Sequence, residues 1–533
     1  MMDRRHFLTL LGSLGAAGTV AACSSGGGAG GSDSGANAGA GGTLAIDAGA
    51  EIGDRLGSPW MGNGTLDNVA LYSTLLLADH TLAEFQPDLA ESWEYSNDDT
   101  TLTLVLKDGL KWSDGEPFTA EDVKFSLETL LRVSQANSIY TAAFRHIDGG
   151  EAVLDGSATE LSGVTIDGST MTLALTQTYG TFVPVLAQFV ILPKHKLHSA
   201  DPLELHNDPF FRDPVGTGMY KLKEFNTGNF YSLEPNPNYH GEAPKLKELR
   251  FVASSDKVAD ATSGRLDYFT TNVPEVVQGM ADSPTMTANP VETLFYRYLI
   301  FNASEESLPA ANVKFREALT KAVDYKPLVT ALYSDQATMI SSGVPDGDPM
   351  SAKLPGFAFS ASAAKSLLDG AGYDYSKKLR LRYYYDDATS RNLMTAIAQG
   401  LEAIGVQTDV QQFQGDVTTE LYTNRNWDVA LKGLSSFGLE EWYSEYVGAN
   451  FKAIIGEQPQ YSTLIDRLAT ETEDSARRDT LDELQRLERS DLFKVPLFTI
   501  KQFIYVAKKV DTAGVTFGSP FYRYNLKLGD WTM

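Results

Sequence analysis

PDLAESWEYSNDDTTLTLVLKDGLKWSDGEPFTAEDVKFSLE, running from Pro87 to Glu128, packs strand, turn and helix-start signals into one continuous span. Leu102, Leu104 and Leu106 alternate along Thr101 to Leu106, so one face of a strand is apolar. Asn97-Asp98-Asp99 supplies turn residues before that strand, and Asp108-Gly109 is expected to close its hairpin. A second turn at Ser113-Asp114-Gly115 leads to Thr119-Ala120-Glu121-Asp122. There Thr119 can accept from the Asp122 amide while the Asp122 carboxylate reaches back, a capping box that starts a helix. Val123, Leu127, Leu130 and Leu131 then mark its buried stripe. Trp93 and Trp112 lie inside this segment and read as packing residues.

Working outward, Gly42 to Ile46 reads as a strand, and Asn68 to Ala78 carries Val69, Tyr72, Leu75 and Leu76 at helical spacing. Thr170 to Thr176 alternates as another strand. Pro214 to Tyr220 is a glycine-punctuated loop, and Asn236-Pro237-Asn238-Tyr239 a turn. In the second half, Phe315, Ala318, Leu319, Ala322 and Val323 form one helical stripe, and Ala364, Leu367, Leu368 and Ala371 another. Leu379 to Tyr385 reads as strand, Arg391 to Ile404 as helix stopped by Gly405, and Val406 to Phe413 and Asp428 to Leu431 as strands. Strand, helix and strand joined this closely predict a parallel βαβ unit and an α/β fold. No fixed-period repeat is visible, which argues against a solenoid or propeller.

The N-terminus has a different character. Arg4 and Arg5 precede an apolar run from Phe7 to about Val20, and Val20-Ala21-Ala22-Cys23 resembles a lipobox, with Cys23 as the lipidated residue. The run is shorter than the roughly 18 to 20 residues that span a bilayer. After Cys23, as far as Gly42, the chain is Gly, Ser, Ala and Asn with a single Asp, a composition that cannot bury a core and behaves as a tether. Asp3-Arg4-Arg5-His6-Phe7-Leu8 also resembles a twin-arginine export motif, a route that carries folded proteins.

A net charge of −25 with no basic stripe excludes the phosphate neutralisation that nucleic-acid binding needs. Cys23 is the single cysteine, so no disulfide can form within the chain. No G-x-S-x-G elbow, H-E-x-x-H helix or phosphate-binding G-x-x-x-x-G-K-[ST] loop is present. Gly26, Gly28 and Gly31 match G-x-G-x-x-G only within the tether, with no strand before them. His195, His198 and His206 are the one local histidine group, and their spacing in a proline- and lysine-bearing loop makes no metal site. No catalytic residue, cofactor or metal is assigned.

Four segments together resemble the large extracytoplasmic solute-binding proteins of ABC importers, the peptide/nickel-binding class known as bacterial solute-binding protein family 5. They are Pro87 to Glu128; PVGTGMYKLKEF from Pro214 with NPNYHGEAPKLKELRF from Asn236; VKFREALTKAVDYKPLV from Val313, leading to Gly343-Val344-Pro345; and AKSLLDGAGYD from Ala364. The resemblance implies a two-lobed, type II periplasmic-binding-protein-like fold with an extra domain inserted in the first lobe. Its expected bounds are 1–22 for the signal and 23–42 for the tether. Lobe I takes 43–58, 208–290 and 499–533, the insert 59–207, and lobe II 291–498. It also implies a ligand held between lobes, ABC permease subunits as partners, a monomeric state, and a place on the outer face of the cytoplasmic membrane through the lipid on Cys23.

Dipeptide-binding members of that family use an acid after a second-lobe strand for the peptide amine and a basic residue for its carboxylate. Here Phe437 or a neighbouring serine occupies the acid's place, and Tyr384-Tyr385-Asp386-Asp387 stands where the basic residue is expected. Glu440 or Glu441 is the substitute amine partner if the loop is shifted. A longer peptide held by its backbone, or a sugar stacked on aromatics, fits these departures. The candidate contacts are Trp60, Tyr384, Asp386, Phe437, Glu440, Trp442 and Tyr443, with core packing as the plain alternative for each aromatic. Import of peptides or oligopeptides is the first reading. The alternatives are import of oligosaccharides, a ligand-binding sensor, and a secreted glycoside hydrolase using a pair such as Asp386-Asp387 or Glu440-Glu441.

Overall fold

A computed structural model describes residues 41–533 apart from 63 and 307. The signal, the Cys23 lipobox and nearly all of the tether lie outside the described residues. Three larger sheets organise the rest. The first has seven strands in the order Met286–Val291, Gln502–Ala507, Tyr268–Thr271, Thr43–Asp47, Glu248–Val252, Phe230–Pro235 and Tyr220–Asn226. Thr43–Asp47 runs parallel to both of its neighbours, and every other pairing is antiparallel. The second has six strands: Ala337–Met339, Lys494–Ile500, Phe295–Phe301, Val429–Ser435, Lys378–Tyr383 and Gln407–Gln412. Its last three strands are parallel.

Between the first and second visits to the seven-stranded sheet, the chain builds an antiparallel four-stranded sheet ordered Ala90–Ser96, Thr101–Leu106, Thr170–Ala174 and Val164–Asp167. The chain passes from the seven-stranded to the six-stranded sheet after Val291 and returns after Ile500. These crossings lie side by side. The Thr293 hydroxyl donates to the Ile500 carbonyl at 2.7 Å, and Lys501 pairs with Glu292 at 3.3 Å.

The alternation along Thr101 to Leu106 is realised in full, with Leu102, Leu104 and Leu106 all buried. Its hairpin, however, turns at Asn97, Asp98 and Asp99 rather than at Asp108-Gly109. All three adopt positive φ (55°, 53° and 60°), a conformation that Asn and Asp tolerate better than most residues. The capping box forms at the head of the helix Ala120–Leu130. Asp122 accepts from the Thr119 amide at 2.9 Å and, with its other oxygen, from the Lys194 amide at 3.0 Å. One buried carboxylate therefore starts the helix and fastens it to the segment that follows Pro193. Asp122→Ala is expected to cost about 2 kcal/mol in urea unfolding, because a cap and a long-range charged hydrogen bond go together. A loss below about 0.5 kcal/mol, the size of an ordinary surface change, would contradict that account.

The helix expected over Asn68 to Ala78 is shorter than its spacing suggests. It spans Leu66–Leu71, and Leu76–Ala78 is a strand paired with Phe85–Pro87. Tertiary partners capture the backbone where the helix would continue. The Gly218 amide takes the Leu71 carbonyl at 2.9 Å, the Ser73 amide donates to the Thr217 hydroxyl at 3.1 Å, and the buried Arg523 binds the Tyr72 carbonyl. In the second half the βαβ unit appears as Lys378–Tyr383, Ala388–Glu402 and Gln407–Gln412, with Gly405 at φ +92° ending the helix.

Candidate functional site

In open α/β sheets the space beyond the carboxyl ends of parallel strands is where ligands sit, because side chains there face loops rather than a packed layer. In the six-stranded sheet that edge is made by Tyr384 and Tyr385 after one strand and Ser436 to Glu441 after another. The antiparallel neighbour Phe295–Phe301 brings its beginning to the same edge, with Phe295 opposite Ser435 and Arg297 opposite Gly433.

Facing this edge is the C-terminal segment, whose Tyr524, Leu526, Leu528 and Trp531 are buried in the core of the seven-stranded sheet. Phe521 meets Phe295 edge-on at 6.4 Å, and Tyr522 meets Phe437 edge-on at 5.0 Å. Phe521 is nevertheless 41% exposed, an apolar ring left open beside a half-buried one. The body carrying the four-stranded sheet also reaches over: the Gly180 amide donates to the Ala469 carbonyl at 2.9 Å. The arrangement is an aromatic-lined junction between sheet systems.

Acidic groups gather at one side. Glu440 pairs with Arg477, and Glu441 accepts from the Phe437 amide and from the Ser436 hydroxyl at 3.2 Å. Burial pushes the Glu441 carboxyl up despite those bonds, and it pushes Asp348 up as well. Two carboxyls held above their usual range form a region that favours a cationic or hydrogen-bonding group.

The residues singled out in the sequence divide. Tyr384 is at the edge, where its hydroxyl accepts from the Gly433 amide at 3.2 Å and donates to Tyr385 at 2.7 Å. Asp386 is exposed beside it, while Asp387 caps the helix Ala388–Glu402 through the Ser390 amide at 2.7 Å. Phe437 and Glu440 are at the edge, half-buried. Trp60, Trp442 and Tyr443 are corrected to core residues, all fully buried. Trp60 stacks on Phe189 at 5.6 Å and donates its indole N–H to the Val190 carbonyl at 2.8 Å. Trp442 donates to the buried Glu488 at 2.6 Å, and the Tyr443 hydroxyl donates to the same carboxylate at 3.4 Å. Their polar atoms are committed and their rings enclosed, so neither indole nor phenol is free for a solute.

Phe295, Arg297, Tyr385 and Phe521 were not singled out from the sequence. One signal was available: FYRYLIF places an arginine in the middle of an otherwise apolar and aromatic strand. Among the described residues no helix is long and apolar enough to cross a membrane, and no group of three His, Cys, Asp or Glu is placed to hold a metal.

Comparison with known proteins identifies a family and a fold. The model of the bacterial extracellular solute-binding proteins, family 5, middle, covers residues 84–446. A Brucella ovis protein, provisionally described as an ABC transporter peptide-binding protein, is 25% identical over 432 residues, 77% of this chain and 78% of its own. The crystal structure of the Listeria monocytogenes ABC transporter substrate-binding protein CtaP superposes with a TM-score of 0.77 at 20% identity, covering 93% of this chain and 99% of that one. The Bacillus subtilis oligopeptide-binding protein AppA, solved with a nonapeptide, gives 0.70 at 18% identity, covering 93% and 100%.

Proposed function

The chain belongs to the family 5 bacterial extracellular solute-binding proteins, and from that premise we propose that it captures peptides at the aromatic junction and hands them to an ABC importer. The fold is of the two-lobed type II class, and the protein is a binding protein rather than an enzyme. The observation that carries the reading is the junction itself. The carboxyl edge of the parallel strands supplies Tyr384, Tyr385 and Phe437, and the opposing segment supplies Phe521 and Tyr522. A solute touching both sides would favour closure in proportion to its contacts with both, which is how a hinge equilibrium is biased.

In this reading the seven-stranded sheet is the body of lobe I, the six-stranded sheet that of lobe II, and the four-stranded sheet belongs to the insert. We take the final lobe boundary at 500 rather than 498, so as to keep the strand Lys494–Ile500 whole within lobe II. The crossings at 292–294 and Lys501 would be the hinge. Tyr384, Asp386, Phe437 and Glu440 stay in the candidate contact set, joined by Phe521 and Tyr522. Lipid on Cys23 and the tether after it would hold a monomer on the outer face of the cytoplasmic membrane, with the twin-arginine route as the exporter.

A thermal-shift panel tests the solute class. Di- to nonapeptides, cello- and xylo-oligosaccharides and nickel chelates are each offered to the mature protein. A true ligand at 100 times its Kd stabilises the native state by about 2.7 kcal/mol. Peptides are expected to raise the transition. A shift with sugars alone would sink the peptide assignment, and turnover of any compound would restore the hydrolase reading.

A further inference from the structure

Arg297 is 7% exposed, and among the described residues no carboxylate lies within ion-pairing distance of it. Its Nη1 donates to the carbonyl of its own neighbour, Tyr296, at 3.1 Å, and its Nε is buried without a partner. Other arginines of the same sheet are treated differently: Arg380 pairs with Asp428 at 2.7 Å and Arg382 with Asp409 at 2.9 Å. Two further buried arginines lack carboxylates, but each is held by two carbonyls, at least one of them from a distant segment. Arg316 binds those of Asp491 and Ala310, and Arg523 those of Asn68 and Tyr72. Arg297 alone of these carries its charge inward with one neutral, local bond. A buried cation in that state is costly unless something supplies the missing partner.

The surroundings orient it for one. The guanidinium carbon lies 4.1 Å from the Tyr385 ring centroid and 4.5 Å from that of Phe295. Contact with ring faces occupies the flat sides of a guanidinium and leaves its edge of N–H donors for a planar acceptor. Gly433, opposite on the neighbouring strand, makes the room that the Tyr385 hydroxyl and the guanidinium occupy together. A Cβ there would collide with the Tyr385 hydroxyl and with Arg297 Nη1. Phe295 in turn touches the exposed Phe521 across the junction.

We infer that Arg297 is a specificity-determining residue that anchors a carboxylate of the bound solute at this junction. The inference rests on the solute-binding reading given above but not on the solute being a peptide. A carboxylate matches the donor fork with two parallel hydrogen bonds. More highly charged anions are disfavoured by the chain's net charge of −25 and by the nearby Glu440 and Glu441.

The test offers the mature wild-type protein paired probes differing only in that group. Tri- to pentapeptide libraries lacking Asp and Glu are presented as free acids and as C-terminal amides. Oligogalacturonates are presented with their neutral methyl esters. Retention is quantified by mass spectrometry, and retained members are titrated by calorimetry. The acid form of at least one pair should bind at least about tenfold more tightly, the size of a charged hydrogen bond. Arg297→Gln should abolish that preference, and Arg297→Lys should restore part of it. Preference in the uronate pair alone would uphold Arg297 and sink the peptide assignment. Equal binding of neutral forms, a preference surviving in Arg297→Gln, or no retention of any acid probe would overturn the inference. The wild-type acid-to-neutral comparison stands even if Arg297→Gln fails to fold.

Discussion

Glu445→Gln is expected to destabilise the protein by about 3 kcal/mol at neutral pH, the scale at which breaking a buried ion pair is felt. Glu445 bridges two ammonium groups, one from the strand Val429–Ser435 and one from the strand Lys494–Ile500. Lys494 Nζ lies 2.6 Å from it, Lys432 pairs with the other oxygen, and the Tyr298 hydroxyl adds a bond at 2.7 Å. Lys494 is fully buried, 4.2 Å from the Trp442 ring centroid, and donates to the Trp442 carbonyl at 2.6 Å. Burial draws the Glu445 carboxyl up, but the two ammoniums outweigh it and hold the group down at about 2. Burial pushes Lys494 down to about 8 even with Glu445 beside it.

The signs of the pH dependence follow. A carboxylate depressed in the folded state stabilises fully above its unfolded value, near 4.5, and that contribution is lost as pH falls towards 2. The stability gap between wild type and Glu445→Gln should therefore shrink across that acid window. Without Glu445, Lys494 becomes still easier to deprotonate in the folded state, which caps the cost. The variant should gain stability relative to wild type as pH rises through the range in which its folded state has already released the Lys494 proton while the folded wild type, whose Lys494 is held at about 8, still keeps it; at higher pH the two should run parallel. Urea unfolding of both proteins across pH 2.5 to 10 checks both arms. A gap independent of pH would mean that Glu445 acts by shape and not by charge.

The same network explains why part of the site was hidden from sequence. In the sequence Trp442 and Tyr443 follow a strand closely, where an aromatic is as suited to a ligand as to a core; in the structure they lie on the short helix Leu439–Ser444. What decides is Glu488, more than 40 residues away on the helix Asp474–Asp491, whose carboxylate collects Trp442, Tyr443, Tyr446 and the Gly343 amide. No local pattern announces that convergence. Phe295 and Phe521 are likewise separated by most of the second half of the chain, and only the return of the chain at Ile500 brings them together. By contrast, the capping box at Thr119 to Asp122 and the glycine stop at Gly405 are local chemistry, and the elements they bound are close to those read from the sequence. The helix over Asn68 to Ala78 failed for the opposite reason. Its periodicity is real, but three long-range partners compete for its backbone and win, as tertiary contacts commonly do over propensity. Arg297 was the most legible of the missed residues, since a charge in a strand of Phe, Tyr, Leu and Ile needs a reason to be there.

Cys23→Ser is expected to leave solute affinity unchanged while cutting uptake at least tenfold. The proposed lipid anchor supplies no contact to the solute, so the binding isotherm of the variant should overlay that of the wild type. Its contribution is concentration. Two acyl chains give stable membrane attachment where one gives a marginal one, and a linker of glycine- and serine-rich composition after the proposed anchor would confine the binding protein to a thin shell near the permease. For a generic glycine- and serine-rich linker of 20 residues, the number from Cys23 to Gly42, the expected root-mean-square reach is about 25 Å, which would correspond to millimolar effective concentration for an encounter partner. A released protein must instead find the permease from dilute solution, with the weak affinity that a shuttle needs in order to let go. Shortening or lengthening the tether by ten residues should change uptake far less than releasing the protein, because effective concentration falls only as about the −3/2 power of length. Uptake of a labelled ligand in cells carrying each variant, with the fractionation of the protein followed in parallel, measures these differences. Undiminished uptake by a Cys23→Ser protein found entirely in the soluble fraction would remove the anchor from the mechanism, and leave closure around the solute as the sole signal the permease reads.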